Sequence, residues 1–133
     1  MAKKKIICDT DVMIDYWDKA KSRHAATKSI LEKTVELDNV VLSAVTKMEL
    51  MLGATNKIDM ARITSKLNRF NIALINNDIT LLSFELLESY RLSHRLLLPD
   101  SIIAATALIA ELELFTYNTK DFKFISKLKL HIP

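Results

Sequence analysis

Apolar residues in this chain fall into short continuous runs that alternate with longer stretches of helical periodicity. Lys4 to Cys8 reads as a short buried strand that stops at Asp9-Thr10-Asp11. Val12 to Trp17 follows as a short helix, with Asp11 or Thr10 placed to cap it. His24 to Leu37 carries Ala25, Ile30, Leu31 and Val35 at helical spacing. Asn39 to Leu42 predicts a second strand. Ser43 then caps a helix running through Val45, Met48, Glu49, Leu50 and Leu52, which Gly53 stops.

Ile58 to Phe70 fits an amphipathic helix with Arg62, Lys66 and Arg69 on its polar side. Ile72 to Ile75 predicts a third strand, and Asn76-Asn77-Asp78 opens a helix from Ile79 to about Leu96. Pro99-Asp100 starts a further helix, Ser101 to Leu112, apolar on nearly every side and so expected at the centre of the fold. Leu114 to Tyr117 predicts a strand, Thr119 to Ser126 a turn or short helix, and Leu128 to Ile132 a final strand. Short strands alternating with helices imply an α/β sandwich around a mostly parallel sheet. Ligands in such sheets sit beyond the carboxyl ends of the strands. Asp9, Ser43 and Asn118 each follow a predicted strand directly.

Composition narrows the chemistry. The 133 residues suit one domain, expected over 1–133, and a composition half apolar and 26% charged is that of a globular chain. Cys8 stands alone, so neither an internal disulfide nor a zinc-type cysteine set can form, which suits a reducing cytoplasm. Gly53 is the only glycine, which excludes Gly-rich phosphate loops and dinucleotide fingerprints. No secretion signal follows Lys3 to Lys5, and the apolar stretch Ile102 to Ala110 is too short to cross a bilayer. A net charge of +3 permits a nucleic-acid substrate without requiring one.

The acids are the candidates for chemistry. Asp9 ends the first strand and is either a cap or a site residue. Asp11 is the better capping candidate, and Asp15 and Asp18 are expected to be solvated. Glu49 lies among Met48, Leu50, Met51 and Leu52, facing either solvent or a polar cleft. Asp100 leads into the apolar helix, where Pro99 restricts the approach and the helix terminus favours an ionised carboxylate. Asn118 and Asp121 follow the fourth strand as turn formers or cleft residues. Carboxylates gathered in one place repel each other unless a cation neutralises them. Mg²⁺ does this with oxygen ligands and retained waters, which is what hydrolysis needs.

Four segments in order carry a family resemblance across essentially the whole chain. Ile6-Ile7-Cys8-Asp9-Thr10-Asp11, Leu42-Ser43-Ala44-Val45-Thr46-Lys47-Met48-Glu49-Leu50, Leu98-Pro99-Asp100-Ser101-Ile102-Ile103-Ala104-Ala105-Thr106-Ala107 and Thr116-Tyr117-Asn118-Thr119-Lys120-Asp121-Phe122 resemble the successive blocks of the PIN domain. The likeness is strongest to the VapC-type toxins of prokaryotic toxin–antitoxin pairs. It implies a PIN-like three-layer α/β/α sandwich with a mostly parallel sheet of about four to five short strands. It further implies a Mg²⁺- or Mn²⁺-dependent endoribonuclease, usually a homodimer, held inactive by a small antitoxin that blocks the acidic pocket. Asp9 and Asp100 would be the principal metal ligands, with Glu49 completing the set. Asn118 occupies the place where many relatives have Asp, and Asp121 supplies a carboxylate nearby, so either fills the fourth catalytic position. The implied reaction is hydrolysis of RNA phosphodiesters by metal-activated water.

Around these blocks, Thr10 and Ser43 serve as caps or as hydrogen-bond donors to the pocket. Arg91, Arg95 and Lys120 lie closest in sequence to the acidic blocks, as surface charges or phosphate contacts. Tyr16 and Trp17 are core, partner-contact or base-stacking candidates, and His94 has no second histidine at ligand spacing. Two alternatives stand beside the nuclease reading. One is a PIN-like module that binds RNA or protein without cutting. The other is a haloacid-dehalogenase-like phosphatase, suggested by Asp9-Thr10-Asp11 after a strand, although the later blocks fit it poorly.

Overall fold

The computed structural model describes residues 3–133. Four short apolar segments form its sheet: β1 (Ile6–Cys8), β2 (Val40–Ser43), β3 (Asn71–Ala73) and β4 (Glu113–Phe115). Among the described residues the six α-helices are α1 (Thr10–Trp17), α2 (His24–Ser29), α3 (Ala44–Leu52), α4 (Lys57–Leu67), α5 (Asn77–His94) and α6 (Leu98–Ala110). The strands lie in the order β3-β2-β1-β4, and every pairing is parallel. The chain thus steps outward from β1 to β3, then returns across the sheet to place β4 on the far side of β1. Because crossovers are right-handed, the outward and returning connections cover opposite faces.

Strand alternation supplies both faces. Ile6, Cys8, Val40, Leu42 and Phe115 pack beneath Val12 and Met13 of α1, Leu31 and Val35, Leu50 of α3 and Leu67 of α4. Ile7, Val41 and Leu114 face the other way, against Ile79 and Leu86 of α5 and Ile103, Ala104, Ala105 and Ala107 of α6. This is the expected three-layer α/β/α arrangement. As its pattern predicts, α6 is central, and its buried Ser101 and Thr106 hydroxyls bond back to Leu98 O and Ile102 O at 2.7 Å each.

The details differ from expectation at identifiable places. The helix predicted from His24 to Leu37 is α2 followed by a π-helical turn, Ile30–Val35, which keeps Leu31 and Val35 on the buried side. It ends at Glu36 with a φ of 74°, and a 3₁₀ turn, Leu37–Asn39, leads into β2. Helix α5 begins at Asn77, two residues early, because Asn76 accepts the Ile79 amide at 2.9 Å. Helix α6 begins at Leu98 because Pro99 occupies its first turn, where no backbone donor is needed. The strand predicted at Leu128 to Ile132 reduces to one parallel bridge, Leu114 to Leu130. Among the described residues no helix is long and apolar enough to cross a membrane. Cys8 is fully buried in the central strand, and burial, with the charges of Asp9 and Asp11, pushes its thiol well above the ordinary range.

Replacing a residue at the centre of this packing should cost far more than replacing one at its surface. Ile103→Ala is expected to lower the unfolding free energy by ~2–5 kcal/mol. Leu92→Ala, at a position 97% exposed, should change it by less than ~0.5 kcal/mol. Urea denaturation of both variants would check the layer assignment.

Candidate active site

The crossing from β3 back to β4 leaves β1 and β4 adjacent, with connections departing to opposite faces of the sheet. That is a switch point, and the crevice beyond the strand ends is where an α/β sheet accepts ligands. Asp9 occupies it. Its backbone amide donates to Phe115 O at 2.9 Å, which locks it to the end of β4. Its Oδ1 accepts from Thr10 N at 2.8 Å, and its Oδ2 accepts from Thr116 Oγ1 at 2.8 Å. Asp9 therefore caps α1, in place of the expected Asp11 or Thr10. Residue 9 keeps extended backbone angles, and helical geometry begins one residue later. Cap and site residue are the same side chain.

Of the other acids, Asp11 comes from α1 itself, and Glu49, Asp100 and Asp121 come from three further elements. Thr10 Oγ1 donates to Glu49 Oε1 at 2.7 Å and lies 3.1 Å from Thr46 Oγ1, so one turn of α3 is tied to the start of α1. Glu49 is half-buried and faces the pocket rather than open solvent. Asp11 accepts from Tyr117 N at 3.1 Å through Oδ2, while its Oδ1 is buried without a partner. Asp100 enters half-buried from the first turn of α6, and Asp121, also half-buried, from a 3₁₀ turn at Thr119–Asp121.

Electrostatics identify the acids that share one field. Burial raises the Asp100 carboxyl to about 7, assisted by the charges of Asp9, Asp121, Glu49 and Asp11 in that order. Burial and the charge of Asp9 likewise push Asp11 up to about 7. Asp9 is raised by burial, partly opposed by its bonds from Thr116 and Thr10. Asp121 is thus within electrostatic reach of the cluster. The Asn118 side chain is exposed, and the residue works through its backbone: its amide donates to Thr116 Oγ1 at 3.0 Å, and its carbonyl accepts from Asp121 N at 2.9 Å.

Asp9, Glu49, Asp100 and Asp121 lie within one electrostatic field, and Asp11 shares it. Sequence alone favours Asp11 as a cap. Its position two residues beyond Asp9, across the first turn of α1, was the available signal. Thr116 and Thr46 were missed, although a hydroxyl at the end of a buried strand is a natural donor to a neighbouring acid. Asp15 corrects the expectation of a solvated residue: it is buried and accepts from Arg23 Nε at 2.8 Å. It lies one turn beyond Asp11 on the same face of α1. Ser43 is a cap only, accepting from Val45 N at 3.2 Å. Arg91 is spent on Arg95 O and Leu96 O, and Arg95 and Lys120 are exposed. Tyr16 and Trp17 pack against the core.

Every donor in the cluster is an oxygen, which is the chemistry of a hard divalent cation. The unpartnered Asp11 Oδ1 and the mutual repulsion at Asp100 fit such an ion. The carboxylates share the pocket without converging on one point: both Asp9 oxygens and one of Glu49 are held by protein donors. Among the described residues no three His, Cys, Asp or Glu side chains stand as a ready-made ligand group.

The family model of the PIN domain matches residues 6–128, and the chain belongs to the PIN-domain family. The phosphatase alternative is thereby set aside. Solved structures agree with the VapC-type resemblance inside that family. One is a toxin–antitoxin complex from Klebsiella pneumoniae, 36% identical over 93% of this chain and 95% of that one, with a TM-score of 0.74. FitAcB from Neisseria gonorrhoeae is 26% identical over 96% and 97%, with a TM-score of 0.72. VapBC-1 from nontypeable Haemophilus influenzae is 26% identical over 95% and 96%, also at 0.72. No curated protein matches the sequence.

The crowded acids should be visible in stability. In the folded protein Asp11 and Asp100 keep protons up to about pH 7, whereas an ordinary aspartate releases its proton near 3.8. Folding therefore takes up protons between these values. The contribution of these groups is most favourable at the acid end and is lost as pH rises through about 7. Urea denaturation in EDTA should show wild type less stable at pH 8 than at pH 5, and Asp100→Asn losing less over the same interval.

Proposed function

We infer that this chain is a divalent-metal-dependent endoribonuclease, the toxin of a VapBC-type pair, that hydrolyses RNA phosphodiester bonds. The observation that carries the reading is the cluster of Asp9, Asp11, Glu49, Asp100 and Asp121 at the switch point of a PIN fold. Family membership and the toxin–antitoxin structures it resembles support it.

Asp9 and Asp100 would hold a Mg²⁺ or Mn²⁺ ion, with Glu49 completing the set and Asp11 and Asp121 contributing charge. A bound ion of this kind supplies an activated water and offsets the negative charge that grows on the phosphoryl oxygens. The protein's own residues do the positioning. Thr116 Oγ1 accepts from the Asn118 amide and donates a hydrogen bond to Asp9 Oδ2, fixing the direction of that carboxylate. Thr10 does the same for Glu49. Asp100 rides on a buried helix, so its place relative to Asp9 is set by the core. Asn118 shapes the turn that presents Asp121, and in this reading Asp121 is the fourth acid.

Partners follow from the same reading: RNA as substrate, a small antitoxin as inhibitor, and a second copy of the chain in a homodimer. A binding module without activity is the other reading of a PIN fold. The crowded acids speak against it, since they destabilise the fold unless a cation is to be bound.

The test is cleavage of a mixed RNA pool by purified, antitoxin-free protein in Mg²⁺, Mn²⁺ or EDTA. Cutting should require the metal and be lost in Asp9→Asn and Asp100→Asn. Thr116→Val, which frees Asp9 Oδ2 without removing an acid, should cost ~10–100-fold in activity or metal affinity. A folded wild type that binds RNA and cuts nothing would favour the binding module.

A further inference from the structure

The arrangement around Arg23 has no part in the site described so far. Arg23 lies just before α2, and its Nε donates to Asp15 Oδ2 at 2.8 Å. Its Cζ sits 4.1 Å from the centroid of the Tyr117 ring. Tyr117 is itself held twice, by its amide to Asp11 Oδ2 and by a hydrogen bond between its hydroxyl and Thr27 Oγ1. One edge of the guanidinium is thus held by Asp15, and one face lies on Tyr117, whose amide bonds the pocket acid Asp11.

What remains is informative. The Asp15 side chain is 8% exposed, but that of Arg23 is 53% exposed. Among the described residues no protein acceptor bonds its Nη atoms. Neutralising Asp15 takes one N–H, and a planar fork of further donors is left on a half-exposed side chain that feels the charge of Asp11. A pocket of five acids repels a polyanion, so a strand lying across it needs cations at its edge. Arg91 cannot serve, being bound to its own chain turn.

We propose that Arg23, mounted on Asp15 and Tyr117, is a positioning residue that grips a backbone phosphate of the RNA next to the one being cut. The proposal rests on the nuclease reading. Two N–H groups of one guanidinium match two phosphate oxygens, and the preset geometry spares the entropy of ordering a long side chain. Arg23 touches no reacting atom. Its contribution belongs to binding and register.

Steady-state cleavage of one labelled RNA in Mg²⁺, over a series of NaCl concentrations, separates this from a purely structural lock. Arg23→Gln and the double variant Asp15→Asn/Arg23→Gln, which leaves no unpaired buried charge, should each raise KM about tenfold with kcat nearly unchanged. The slope of log(kcat/KM) against log[NaCl] should become shallower by about 0.7, the share of one phosphate contact on a single strand. Arg23→Lys keeps the charge beside Asp15 without the fork, and should melt like wild type while still raising KM. Wild-type KM and salt slope in the double variant, or in Arg23→Lys, would overturn the proposal and leave Arg23 as a lock for α1. If wild type cuts no RNA, the nuclease reading falls and takes the proposal with it, an outcome distinct from an active enzyme indifferent to Arg23.

Discussion

The structure turns on the hydrogen bonds of one buried residue. Asp9 ends β1, starts α1 and is stitched to β4 by its amide and by Thr116 Oγ1. Three elements therefore meet on a group whose charged form is disfavoured by burial. A neutral cap would serve the helix equally well. An acid at this point makes sense where the strand ends must present negative charge, and the remaining acids are arranged around it. Glu49 is drawn in through Thr10, Asp11 through the Tyr117 amide, and Asp100 through the rigid placement of α6.

Such a cluster sets stability against use. The sheet is only three to four residues deep at each strand, and its two faces are filled by tightly buried aliphatic and aromatic side chains. That packing holds like charges where they would otherwise separate. A fold that did not use them could replace Asp100 or Asp11 with neutral residues and gain stability, the usual direction of the trade between function and stability. Several acids at one strand-end crevice are what the proposed cation-dependent task would require.

Much of this was legible in the residues themselves. The strands were recognisable because each is a short apolar run bounded by polar residues, and α6 because it is apolar on nearly all sides. The acids at strand ends and at the Pro99 helix start pointed to one crevice, since a parallel sheet leaves few other places for them. Hydrogen-bond assignments were harder to read. Whether Asp9 or Asp11 caps α1 depends on where helical dihedrals begin, and a shift of one residue exchanges their parts. Asp15 reads as surface until α2 brings Arg23 over it, a contact that no local pattern contains. The last strand failed because Leu128 to Ile132 meets only the edge of β4, where a single bridge at Leu130 suffices. Thr116 was hidden by its ordinariness, because threonine belongs in strands whatever its hydroxyl does.

The lone thiol at the middle of the sheet has a practical meaning of its own. Cys8 lies on β1 between β2 and β4, fully enclosed and adjacent to the acid that organises the pocket. A thiol in that position is shielded from oxidants and alkylating reagents for as long as the central strand stays paired. Its modification then becomes a clock for the rarest opening event of the molecule, the parting of the layers themselves. The chain carries a native reporter of its deepest unfolding, silent to fluctuations of loops and helix ends, with no competing cysteine to blur the signal.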